Sequence, residues 1–217
     1  MAFIQGNSGS TGGTVTPNLS VGFGSANTLN NLLIGITREP FSSGLNTQIT
    51  DTQGNTWTKK LTFSNGFDQM ELFYASKCKA GANTAHLTLV GGGSTFMRLV
   101  IGEYSDTTQV GDMTNFATGS SATPNSGSII PSAARALLIG FPANTSSDSI
   151  TFIAAGWNVR NNADSNLYLC DREVTIAGSY SFSGTYGLSE PWGAGIVDFV
   201  FSLPGVANSL MMVGLGI

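Results

Sequence analysis

The chain has 217 residues, of which only 10% are charged and 41% hydrophobic, with 28 glycines and a formal net charge of −4. Its 13 Phe, 5 Tyr and 3 Trp exclude a disordered chain, and its nine Lys and Arg, scattered apart from Lys59-Lys60 and Lys77/Lys79, argue against nucleic-acid binding by a basic face. The length suits one large all-β domain or two small ones.

Met1 to Asn7 has neither a charged n-region nor a long apolar core, so no signal peptide is expected. Residues 2–5 form a short apolar strand candidate, and the Gly/Ser/Thr/Asn tract Gly6 to Gly13 reads as a flexible connector, which makes 1–13 an expected N-terminal arm. Val15 to Phe23 alternates loosely, with Pro17 marking an edge, and Asn31 to Thr37 is a continuous apolar run of a buried central strand. The stretch Asp51-Thr52-Gln53-Gly54-Asn55-Thr56-Trp57 carries the chemistry of a tight reversal and predicts a β-hairpin. Gln69 to Lys77, Thr84 to Val90 and Phe96 to Tyr104 continue the series. The second half adds Ser126 to Ile130, Ala136 to Phe141, Ser149 to Ala155, Leu167 to Ile176, Tyr180 to Tyr186, Gly193 to Phe201 and Ser209 to Ile217. Strands thus recur roughly every 8 to 14 residues, the rhythm of an antiparallel sandwich and not of βαβ units. No segment sustains a helical period, so little helix is expected, with Ser132 to Leu137 the one stretch suited to a helical turn. The terminal apolar tract Leu210 to Ile217 is far shorter than the roughly 20 residues of a membrane helix, and no membrane partner is expected.

The two halves echo each other. Leu32-Leu33-Ile34-Gly35 recurs as Leu137-Leu138-Ile139-Gly140, Trp57 as Trp157, Ala80-Gly81 as Ala177-Gly178, and Val100-Ile101-Gly102-Glu103-Tyr104 as Gly195-Ile196-Val197-Asp198-Phe199, in the same order. Such units can be halves of one core, so the expectation is a single antiparallel two-sheet β-sandwich over 14–203, with two weakly related halves, followed by a C-terminal strand or tail at 204–217.

Asn31-Leu32-Leu33-Ile34-Gly35, Thr50 to Trp57, Phe73-Tyr74-Ala75 with Lys79-Ala80-Gly81-Ala82-Asn83-Thr84, Ile101-Gly102-Glu103-Tyr104-Ser105 and Ala136-Leu137-Leu138-Ile139-Gly140 form one set of strand and turn residues. Over about residues 15–203 this set resembles the jelly-roll-type β-sandwich modules of bacteriophage virion proteins and bacterial surface proteins. The resemblance implies a non-enzymatic virion structural protein, a capsid decoration (cement) or tail-fibre-type subunit. Its expected partners are other virion proteins and further copies of itself, a trimer being favoured, and its expected location is the virion, assembled in the host cytoplasm. The alternative it implies is a carbohydrate-binding module that adsorbs to a host-surface glycan; a polysaccharide hydrolase stands third.

Aromatic residues beside turns suit stacking on a sugar ring or a partner, which singles out Phe67, Tyr186 and Trp192, whereas Trp57 and Trp157 sit at strand ends and read as core. The apolar ends nominate Phe3, Ile4, Leu210, Met211 and Met212 for subunit contact. His86 is the only histidine and lies mid-strand without a nucleophile elbow nearby, so it reads as a strand-face residue. Glycoside hydrolysis needs two carboxylates, and Glu71 with Glu103, or Glu173 with Asp198, are the strand-borne options, although strands expose polar residues in any case. No catalytic residue and no cofactor is expected. One His and two distant Cys do not make a zinc site, and Asp106 to Asp112 lacks the spacing of a strong calcium loop. Whether Cys78 and Cys170 pair is open at this level.

Overall fold

The computed structural model describes residues 2–40, 46–91, 95–105, 108–146 and 148–201. Eight strands fill the N-terminal half: β1 (Phe3–Ser10), β2 (Asn18–Gly22), β3 (Leu32–Pro40), β4 (Thr47–Asp51), β5 (Thr58–Ser64), β6 (Asp68–Ala75), β7 (Thr84–Leu89) and β8 (Arg98–Tyr104). Eight more fill the C-terminal half: β9 (Thr108–Ser121), β10 (Asn125–Ile129), β11 (Ala136–Asn144), β12 (Ile150–Ile153), β13 (Asn158–Ala163), β14 (Leu167–Val174), β15 (Tyr180–Tyr186) and β16 (Glu190–Phe201). The all-β, antiparallel expectation holds, and the stretch suited to a helical turn is instead a bend leading into β11.

The duplication is complete strand for strand. The first half forms a five-stranded sheet, β1-β8-β3-β6-β5, and a three-stranded one, β2-β7-β4; the second forms β9-β16-β11-β14-β13 and β10-β15-β12, the same orders eight strands later. In each half the first strand pairs with the eighth, the second with the seventh and the third with the sixth, the pairing of a jelly roll. The fifth strand departs from that scheme by joining the sixth and not the fourth. All four sequence echoes fall on equivalent elements, and packing explains the Leu-Leu-Ile-Gly and Trp pair of them. A Cβ on Gly35 would stand 3.2 Å from the Trp57 ring, and one on Gly140 would stand 2.8 Å from the Trp157 ring. The glycine of each Leu-Leu-Ile-Gly run is therefore the gap into which that half's tryptophan packs.

Instead of one pair of sheets there are four, stacked in layers, because every central strand is apolar on both faces. Ile49, Phe73, Leu87, Leu99 and Ile101 fill the space between the two sheets of the first half. Leu138, Trp157, Cys170, Phe182 and Ile196 do the same in the second. The alternate residues of the same strands, Ile34, Leu72 and Val100 with Ile139, Leu169 and Val197, form a third core that joins the two five-stranded sheets face to face. This seam has two-fold character: β1 lies against β13 as β9 lies against β5, and β8 against β13 as β16 against β5.

Two expectations change here. Residues 3–10 are not an arm; β1 runs antiparallel to β8 with its backbone paired along the strand. Its polar side chains tie it down further, Asn7 Nδ2 donating to Gly22 O at 2.8 Å and Ser8 Oγ to Asn162 O at 2.7 Å. The stretch Asp51 to Trp57 does turn, with Gly54 at φ +65°, but β4 pairs with β7 and β5 with β6, so it carries the chain from one sheet to the other and closes no hairpin. The Asp51 carboxylate organises this corner by accepting from Asn55 N (3.0 Å), Asn55 Nδ2 (2.8 Å), Trp57 Nε1 (2.9 Å) and Asn83 Nδ2 (3.2 Å). The tail at 204–217 lies outside the described residues.

Candidate functional site

The three aromatic candidates do not meet. Phe67 is 62% exposed on the turn between β5 and β6, where Asn65 Oδ1 accepts from the backbone N–H of Phe67 and Asp68 and so presents the ring to solvent. Tyr186 and Trp192 are 1% and 7% exposed and belong to the core of the second half. Trp192 lies flat over Gly119, directly opposite on β9, and its Nε1 donates to Ser121 Oγ at 2.9 Å. Neither is placed to stack on a ligand. Their strand alternation carries this signal: Phe182, Gly184 and Tyr186 share one face, as do Trp192, Ala194 and Ile196. Of the contact candidates, Ile4 is exposed, while Phe3 is half-buried with its ring edge-on to Tyr104 at 5.5 Å. Leu210, Met211 and Met212 lie outside the described residues.

Of the strand carboxylates, Glu71, Glu103 and Asp198 are buried and hydrogen-bonded. Glu103 is buried and accepts from Gln5 Nε2 (2.6 Å), Asn31 Nδ2 (2.7 Å), Asn27 Nδ2 (2.8 Å) and Thr28 N (2.8 Å), pinning the loop that enters β3. Burial pushes its pKa up, but these donors outweigh it and hold the carboxyl below its ordinary value. Its equivalent Asp198 accepts from Ser132 Oγ (2.8 Å), Ser132 N (2.9 Å) and Met113 N (3.0 Å) and pins the loop that enters β11. Glu71 accepts from Lys59 Nζ at 2.6 Å, Gln69 Nε2 at 3.1 Å and Thr47 Oγ1. On β3, Thr37 is paired with Glu71, and Leu33 is paired with Glu103. That register separates the two glutamates by four residues along the strands, about 13 Å, and by two strand spacings across them. Paired-carboxylate hydrolysis works at about 5 to 9.5 Å. Glu173 and Asp198 stand on opposite faces of their sheet, opposite Leu137 and Leu138 respectively.

His86 lies on the outer face of its three-stranded sheet with Nδ1 2.8 Å from Ser20 Oγ, its cross-strand neighbour. Cys78 and Cys170 are both free and sit in the cores of different halves. Burial raises the Cys78 thiol to about 11, with the Glu103 charge adding to the rise. Among the described residues no cluster of three His, Cys, Asp or Glu is placed to hold a metal ion. Asp106, part of the weighed calcium loop, lies outside them.

What the fold brings together, and sequence reasoning missed, lies along the seam. At one end a polar cleft of about 350 Å³ is lined by Phe3, Asn158, Arg160, Asp171 and Glu173. Asp171 accepts from Arg160 Nε at 2.7 Å and Asn158 Nδ2 at 3.1 Å, and the Arg160 guanidinium covers the Phe3 ring at 4.9 Å. The hydrogen bond to Asp171 raises the Arg160 pKa against the opposing effect of its partial burial. At the other end a second cleft, of about 260 Å³, is lined by Arg38, Arg98, Phe96, Thr145 and Asn166. No family model, curated protein or solved structure matches the chain. Functional argument therefore starts from these surfaces.

Proposed function

We propose that the chain is a structural subunit of a virion, a decoration or fibre-type component that works as a homo-oligomer through protein–protein contact. The observation that carries this reading is the surface of the second half, where Ile130, Phe152, Ile176 and Leu188 are each at least 62% exposed around the three-stranded sheet in a chain with only 10% charged residues. Large apolar side chains in a charge-poor setting favour burial against a partner. The loop-pinning carboxylates point the same way, since Asp51, Glu103 and Asp198 are spent on fixing loops. Light scattering on the purified chain should give a multiple of its 22.5 kDa mass, three being favoured, and the double variant Phe152→Ser/Leu188→Ser should lower it. A monomer at tens of micromolar that also fails to associate with particles would remove the proposal.

Glycan recognition is the second reading, and the 350 Å³ cleft favours it: an aromatic ring beside an arginine, an amide and two carboxylates is the donor and acceptor set that sugar hydroxyls use. A glycan array should then give a signal that Asn158→Ala abolishes and Phe67→Ala leaves in place.

A further inference from the structure

The two halves finish the same end differently. In the first half the chain between β2 and β3 lies along residues 78–81. Asn27 and Gly81 exchange both backbone bonds, at 2.8 and 3.1 Å, while Asn30 N donates to Cys78 O at 2.8 Å and Cys78 N to Asn31 O at 2.9 Å. Lys79 is tied to the neighbouring corner, its Nζ donating to Gly54 O at 2.9 Å and its backbone N to Asn55 Oδ1 at 2.8 Å. In the second half the chain between β10 and β11 is held by Asp198 through Ser132 instead and does not lie along the equivalent residues 175–178. Among the described residues one hydrogen bond reaches them, from the Tyr180 hydroxyl to Ile176 O at 2.7 Å.

This open edge is also apolar. Ile176 stands where the first half has Lys79 and is 72% exposed, and Ile130 is 66% exposed. Ile129 is paired with Tyr180, whose hydroxyl bonds Ile176 O, so both isoleucines border the same opening. Large apolar side chains beside unpaired backbone make an edge that a further segment covers.

The chain leaves the described fold next to that edge. Val200, one residue before the end of β16, is opposite Ala136, and Ala136 is opposite Val174. Two strand spacings, about 10 Å, therefore separate the end of β16 from the end of β14, and about three extended residues span them. The sequence from Ser202 to Ile217 is several times longer, carries no charged residue and includes Leu203, Val206, Leu210, Met211, Met212 and Val213.

We propose that the chain's own segment 203–217 covers this end, an extended stretch of it adding to the backbone of residues 175–178 and setting its apolar side chains on Ile130 and Ile176. It takes the place that the chain between β2 and β3 fills in the first half. Main-chain bonds supply the grip and the two isoleucines fix the position, as in strand addition to an open edge. The inference is independent of the assembly reading and divides the surface with it. Ile130 and Ile176 go to the chain's own segment, and Phe152 and Leu188, at the other end of β15, are left to a second copy.

Hydrogen exchange followed by mass spectrometry, on the full chain and on a chain ending at Phe201, tests it. Peptides covering 175–178 should exchange about tenfold or more slowly in the full chain than in the shortened one, and dilution of the full chain should not remove the difference. Equal exchange in the two chains overturns the proposal. So does slow exchange that disappears on dilution, which makes a second copy the occupant. If the shortened chain fails to fold, Ile130→Ser/Ile176→Ser in the full chain decides: chymotrypsin should cut at Leu210 to Met212 several-fold faster than in the wild type, and an unchanged rate counts against the proposal. The two readings fail separately. A monomer that keeps the slow exchange removes the assembly reading alone, and a multimer with equal exchange in both chains removes this one alone.

Discussion

The two halves share their strand order, tryptophan pockets and loop-pinning carboxylates, yet they differ in charge at one end. Where the first half has Arg38, Glu39 and Glu71, the second has Ala143, Asn144 and Tyr168 at the equivalent register positions. In the second half the groups there are neutral: Asn144 Nδ2 donates to Asp148 O at 2.6 Å and the Tyr168 hydroxyl accepts from Ile150 N at 3.0 Å, while the buried Asn144 Oδ1 has no hydrogen-bond partner. In the first half Glu39 is fully buried and both its carboxylate oxygens lack a hydrogen-bond partner. A layered jelly-roll pair is thus stable with neutral residues at these positions, and the charges of the first half are additions to the architecture.

The largest expected effect tests the shared part of the comparison. Trp157 is nearly fully buried and Trp57 only half, so Trp157→Ala should cost about 3 to 5 kcal/mol and Trp57→Ala clearly less in denaturant midpoint measurements. Equal losses would mean that the difference in burial between the two tryptophans does not set what each contributes. Next come the loop pins: Glu103→Gln places an amide N–H₂ against the donors of Asn27 and Asn31 and should cost about 2 to 3 kcal/mol. Because its folded pKa is depressed, the stability that Glu103 supplies is present above its unfolded value of 4.5 and is lost as pH falls through the lower folded one. The gap between wild type and Glu103→Gln should therefore narrow on acidification.

Glu39 has the opposite sign. Burial, then the Glu71 charge, raises its pKa well above 4.5, so the stability of its neutral form is present below 4.5 and is lost as pH rises toward the raised value. Glu39→Gln mimics the neutral residue of the second half and should stabilise by on the order of 1 kcal/mol near neutrality, with the gain fading toward pH 4. A variant less stable than wild type at every pH would show Glu39 to be ionised and held by partners. Smallest is Phe67→Ser, on an exposed turn, which should change monomer stability by less than about 0.5 kcal/mol.

Much of this was legible in the sequence, for stated reasons. Runs such as Leu32 to Ile36 and Leu137 to Phe141, apolar on both faces, announce central strands, and their repetition announces two halves. Partner choice was not legible: Gly54 marks a turn, but nothing local says that β4 goes to β7 and β5 to β6, pairings set by contacts far along the chain. The start of β1 was legible at residues 2–5, but its continuation to Ser10 was hidden because its Gly, Ser and Asn bury little apolar surface and hold through backbone pairing with β8. Trp192 and Tyr186 were readable from alternation once their strands are taken to their true ends. The arginine pair was not, since Arg38 and Arg98 become neighbours only through the register of β3 on β8.

The central claim, that two jelly-roll halves share a core across the seam and behave as one body, is tested most directly by hydrogen exchange followed by mass spectrometry across a urea series. Peptides covering β3 and β11 lie on opposite sides of the seam core. The account predicts that they lose protection together, in one transition. Loss of β11 protection while β3 stays protected, or the reverse, would contradict it and make the halves separate domains.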